Sequence, residues 1–296
     1  MPDGSIGGSV ARTRIVAFGD VIDDVVAVPE GPIRDDTDTP SFVRFAAGGS
    51  PANTAAWLGS LGAAVDFVGM VNAADVGRHT AQLTGVSAHL AGHPTLPTGA
   101  IVVIVEGERR TMLTSRGANS AFDPAAVTSE LLAGARVMHF TVHALLNEAG
   151  ATGIRAAINR AKAAGVAVSV SPGSAGFIAD YGVEAFRQAI AGATIIFASV
   201  DEGRLLTGLE EPAAVAGALA KSFEIVVLTL GSAGVLVNGD LVAAVRVTVV
   251  DPTGAGDAFC AGFLDEWVRT EDALAAARAG TVVASRAVGL VGGRPA

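Results

Sequence analysis

Six short runs of β-branched and apolar residues recur along the chain: RIVAFG (14–19), VDFVG (65–69), RVMHF (136–140), VAVSV (166–170), TIIFA (194–198) and IVVLTL (225–230). Strands covered on both faces have this near-continuous apolar character. Between and after them lie Ala-rich stretches with helical spacing, which predict helices at 52–61, 124–132, 150–164, 184–191, 213–222, 256–268 and 272–287. The alternation constrains the chain to an α/β fold, a mostly parallel central sheet flanked by helices.

Two stretches break the alternation. Residues 21–46 carry PEGP and a DDTDTP run between extended pieces, and residues 98–115 read TGAIVVIVEGERRTMLTS, two arms around a polar turn. A hairpin is expected at the second. Together they predict a small antiparallel sheet, a β-lid, standing off the main one. With 296 residues, half of them hydrophobic, the chain can bury a sizeable core. A net charge of −9 argues against a dedicated nucleic-acid binder. The single cysteine, Cys260, excludes an internal disulfide framework, fits a reducing compartment and reads as a core residue. No stretch reads as a membrane span, and residues 1–11 read as a loose tail lacking the features of a signal peptide. A cytoplasmic protein, with one domain over 12–296, is the expectation.

The chemistry concentrates in DPTGAGDAFCAGF (251–263), where two glycines and an acid stand at the mouth of a helix. A helix start offers unpaired N–H groups and a partial positive charge, and glycines let the backbone approach an anion closely. Asp257 would repel a phosphate, unless its task is to take a proton from a hydroxyl attacking phosphorus. The plainer alternative is a Gly turn with Asp257 as a helix cap. The GxxxxGK[ST] loop is absent, and the first strand runs into FGDVIDD rather than GxGxxG.

DPTGAGDAF and a second stretch, AGGSPANTAAWLGSLGA (47–63), resemble the two signatures of the PfkB or ribokinase family of carbohydrate kinases. GDVIDD (19–24), TSRGAN (114–119), DEGRLLTG (201–208) and LGSAGVLV (230–237) add weaker support in matching order, so that the likeness spans residues 14–290. It implies a ribokinase-like fold whose lid closes over the substrate and mediates a homodimer. Asp257 would be the catalytic base, with the amides of Gly254, Ala255 and Gly256 holding the transferring group. Asp24, Gly48, Gly49 and Asn53 would bind a sugar; Ser199, Thr229, Gly231 and Gly234 would lie at the nucleotide. Glu202 would organise Mg²⁺ through water. Asp251 would lie beside a monovalent cation, implying potassium activation, or would merely brace the turn before Pro252. The implied reaction moves a phosphoryl group from ATP to a primary hydroxyl of a small sugar.

The chain departs from the family pattern in two places: Ser199 stands where the metal-organising motif has Asn, and Ser171-Pro172-Gly173 stands where some relatives have Asp-x-Asn. The sugar is therefore not readable by analogy. A nucleoside kinase, with Phe42, Phe45 or Phe177 stacking on a base, and a non-catalytic sugar-binding protein stay open as alternatives. The spaced pairs His89/His93 and His139/His143 lack the features of a zinc site, and Arg109, Arg110 and Arg116 receive no role.

Overall fold

A computed structural model describes residues 14–106 and 109–295. The chain opens with β1 (Arg14–Phe18), β2 (Ile22–Pro29) and β3 (Ser41–Gly48), then α1 (Ser50–Ser60) and β4 (Val65–Asn72). After α2 (Val76–Ala81) come β5 (Ser87–His93), β6 (Gly99–Glu106) and β7 (Arg109–Ser115). The middle holds α3 (Ser129–Leu132), β8 (Ala135–Thr141), α4 (Gly150–Ala163), β9 (Ala167–Ser171), α5 (Ala175–Tyr181), α6 (Val183–Ala189) and β10 (Ile195–Ser199). The last third is α7 (Val200–Thr207), α8 (Pro212–Leu219), β11 (Ile225–Thr229), β12 (Val235–Val237), β13 (Asp240–Val242), α9 (Ala255–Thr270) and α10 (Ala273–Ala287).

The main sheet has the order β13-β12-β11-β10-β9-β8-β1-β4-β5, parallel except for the pairs β11–β12 and β12–β13. Alternation along β1 shows how both faces are buried. Val16 and Phe18 face a core shared with Ile154, Ile158 and Phe186, while Ile15 and Ala17 face one shared with Leu58, Phe263 and Leu264. Strand order reverses between β1 and β8, since β4 and β5 extend one way and β8 to β11 the other. Crevices outside the carboxyl ends of strands at such a point are where α/β sheets bind ligands.

The second sheet has the order β3-β2-β6-β7. It occupies the stretches expected to stand apart, but it is mixed rather than antiparallel: β2 and β6 run parallel because a whole βαβ passage separates them. Its register separates two faces. Asp24 lies in one row with Ala46, Ile101 and Thr114, and Arg44 in the next with Val26, Val103 and Met112. The opposite face carries the row Phe45, Val25, Val102 and Leu113, in which Phe45 is 81% exposed.

Other expectations need correction. The helix at 124–132 is a 3₁₀ turn at Pro124–Ala126 and the four-residue α3, each capped separately by Asp123 and Thr128. β5 was not expected, because an edge strand reading SAHLAGH is half polar. The tail at 1–11 lies outside the described residues. Among the described residues no helix is long and apolar enough to cross a membrane.

Candidate active site

Gly254 is the N-cap of α9, in the left-handed region at φ +75°, and no side chain caps the helix. The Gly is required, because a Cβ there would stand 2.5 Å from the Cα of Gly293. The Ala255 amide reaches back to the Pro252 carbonyl at 3.3 Å. The next two amides, on Gly256 and Asp257, belong to the first turn and so have no intrahelical acceptor. A Cβ on Gly256 would meet no protein atom within 4 Å, so this turn faces open space. Of the amides expected to face an anion, that of Ala255 is turned back to Pro252, that of Gly256 faces the open side, and Asp257 adds its own N–H.

The Asp257 carboxylate reaches toward α1. The Ser50 hydroxyl donates to its Oδ1, and Asn53 Nδ2 donates to Oδ2 at 3.0 Å. Burial pushes its pKa up to about 6, against the pull of these two donors and of Arg294; the Asp24 carboxylate adds to the rise. α1 can approach so closely because Pro51 opens it and Gly49, at φ +91°, turns the chain into it. A Cβ on Gly49 would stand 2.2 Å from the Asp20 carbonyl oxygen.

Asp24 lies across from this pair. Its carboxylate packs on Gly48, where a Cβ would come within 2.3 Å of Oδ2, and burial raises its pKa to about 6 despite Arg294 and Arg44. Gly48, Gly49, Asn53, Asp24 and Asp257 therefore converge, as the sequence implied. Three further residues join them that sequence reasoning missed. Ser50 was visible only as a helix start. Arg294 donates from Nε to Asn53 Oδ1 at 3.1 Å and from Nη2 to the Gly48 carbonyl at 2.8 Å, held there by Trp57, whose indole N–H donates to the Gly293 carbonyl at 3.0 Å. Arg44 pairs with Asp251 at 3.2 Å. Neither arginine carries a local signal, since its partners lie some two hundred residues away.

On the other side of the α9 turn lies a cavity of about 620 Å³. Thr229, Gly231 and Gly234 line it, together with Ala255, Gly256 and a largely apolar wall that includes Val245, Val247 and Ala284. Ser199 sits beside Thr229 in register but does not line the cavity. Its side chain accepts from the Glu202 amide while Glu202 Oε2 accepts from the Ser199 N–H, a capping box at the start of α7. Burial raises the Glu202 pKa, and both Glu202 and Asp257 add to the rise of the buried Cys260 thiol, which is core as expected.

The histidines hold no metal cluster among the described residues. His89 pairs with Asp66 at 2.7 Å, and buried His139 bonds Ser169. Arg116 pairs with Asp20 at 3.1 Å, at the carboxyl end of β1. His143 lies against Gly173, at the turn where Ser171-Pro172-Gly173 departs from the family pattern.

The chain as a whole is similar to known proteins. A maize fructokinase-1 is 27% identical over 282 residues, covering 90% of this chain and 86% of that protein. A ribokinase from Haemophilus influenzae is 26% identical over 275 residues, covering 86% of this chain and 85% of that protein. The crystal structure of adenosine kinase from Sinorhizobium meliloti superposes with a TM-score of 0.84 at 26% identity, covering 96% of each chain. The profile of the pfkB family carbohydrate kinases matches residues 12–296, and the chain belongs to that family.

Proposed function

We propose that the protein transfers the γ-phosphoryl group of ATP to a primary hydroxyl of a small sugar. The observation that carries this reading is Asp257, a carboxylate with its pKa raised to about 6 and held by Ser50 and Asn53, on the same first turn as uncapped amides that face open space. An acceptor hydroxyl held by Asp24 and Asn53 would give its proton to Asp257 as its oxygen bonds to phosphorus. The bond to the ADP oxygen breaks in the same displacement. The amides of Gly256 and Asp257 would take the charge of the moving group. Positioning matters most, because the transition state is loose and little covalent work falls to the protein.

The apolar cavity has the character needed by a nucleotide base, with Thr229, Gly231 and Gly234 toward its phosphates. Glu202 is the residue that would hold Mg²⁺, through water. A single acid suits an ion that keeps most of its waters and takes phosphate oxygens, and Glu202 Oε2 is already engaged by Ser199. When bound, Mg²⁺ supplies charge neutralisation on the β- and γ-oxygens. The four-stranded sheet is read as a lid over the acceptor, since its Asp24 face meets the site. Its opposite face, with exposed Phe45, Val43 and Leu113, suits a second copy of the chain.

The test is ADP release over a panel of neutral sugars and nucleosides with ATP and Mg²⁺, run beside Asp257→Ala. Turnover on a sugar that disappears in the variant is expected. Turnover on nucleosides alone would make the likeness to adenosine kinase the better guide to the acceptor. Sugar-dependent thermal stabilisation without any ADP would replace the enzyme by a binding protein.

A further inference from the structure

The carboxylate of Asp251, the acid that the resemblance places beside a monovalent cation at the cradle, is already engaged on both oxygens. Asp251 Oδ1 accepts the Thr253 amide at 2.9 Å. Its Oδ2 accepts the Gly292 amide at 3.0 Å and Arg44 Nη2 at 3.2 Å. The ion pair is enclosed, with the Arg44 side chain 25% exposed and that of Asp251 13%. Arg44 also overlies the C-terminal segment, since a Cβ on Gly292 would stand 3.9 Å from its Nη1. The two backbone segments are zipped directly, with the amides of Val250 and Asp251 both donating to the Val288 carbonyl. A metal cation placed on the same carboxylate would face the guanidinium at close range, where like charges repel. An arginine cannot lose its proton to make room.

We propose that the Arg44 guanidinium is the built-in cation of this cradle: it neutralises Asp251 in place of a monovalent metal, and the protein works without potassium. This rests on reading Asp251 as the acid of the cation site. Arg44 lies on β3, four residues before Gly48, and its row neighbours that of Asp24. The charge that steadies residues 250–253 therefore arrives with the sheet that covers the acceptor.

The test compares potassium chloride with choline chloride at equal ionic strength, using two readouts. Melting temperature without substrates reports the cation site itself, whether or not the protein is a kinase. ADP release reports its use. The wild type is expected to show the same melting temperature and the same rate in both salts. Arg44→Met is expected to melt lower, to regain stability specifically in potassium, and to turn over several-fold faster in potassium than in choline. Arg44→Lys, which keeps the charge, is expected to stay indifferent to the salt. Potassium-specific stabilisation or activation of the wild type overturns the proposal, even if Arg44→Met does not fold. A folded Arg44→Met that ignores potassium in both readouts overturns it too.

Discussion

The cavity read as the nucleotide site draws its lining from residues 229–288, mostly small and apolar side chains on consecutive elements. The acceptor side is assembled differently. It joins Asp24 and Arg44 from the second sheet, Ser50 and Asn53 from α1, Asp257 from α9 and Arg294 from the far end of the chain. An apolar wall built from neighbours in sequence is insensitive to pH and tolerant of conservative change. A cluster of partly buried charged and polar groups from five segments is neither, since each group's state depends on the others. The contrast matches the tasks proposed for them, one to hold a common ligand and the other to choose an acceptor and move its proton.

The largest expected break in this contrast is Asp257→Ala. Loss of the base should lower kcat by roughly 10²–10⁴-fold or more, while a fluorescent nucleotide analogue titrated into the variant should bind as it does to the wild type. Asp257→Asn should lose activity similarly yet melt higher at neutral pH. A carboxylate whose pKa rises from 3.8 to about 6 on folding favours the native state when protonated, and that contribution is lost as pH rises through about 6.

Gly254→Ala strikes the turn shared by both sides. Its Cβ would meet Gly293 at 2.5 Å in a left-handed conformation, so a loss of about 1–3 kcal/mol in denaturant unfolding is expected, with activity lost alongside. A purely nucleotide-side change should look different. Ala284→Phe, which fills the cavity from α10, should raise the KM for ATP by roughly tenfold, or ~1.4 kcal/mol, and leave kcat nearly untouched.

pH sharpens the comparison further. The proposed base would work as the carboxylate, so kcat/KM should fall as pH drops through about 6, while nucleotide affinity holds steady. Because Arg294 favours the charged form of Asp257, Arg294→Met should move this acid limb to higher pH. The smallest effect is expected from Trp57→Phe, which removes the indole donor to Gly293. About 1 kcal/mol of stability should go with it, together with a modest rise in acceptor KM as Arg294 loosens.

What the sequence made legible follows the same division. The buried strands β1, β8, β9, β10 and β11 announce themselves because covering both faces demands an unbroken apolar run. β5 does not, being an edge with His89 turned to Asp66, and β12 and β13 are three residues each. Pro124 hid the break between the 3₁₀ turn and α3. Within the site, Asp257 and Asn53 stand in glycine-marked stretches that local geometry alone leaves as helix caps, and it is the resemblance to the two family signatures that singles them out. Arg44 and Arg294 act through partners brought near only by tertiary structure, and periodicity carries no trace of such a meeting.

The bonds from Ser50 and Asn53 to Asp257 join positions 207 and 204 residues apart. The carboxylate is therefore aimed only once α1 has docked on α9, and the same docking completes the core that Trp57 and Leu58 share with Phe259 and Phe263. The reach of the proposed base thus follows from long-range packing of the chain rather than from either glycine-marked stretch alone.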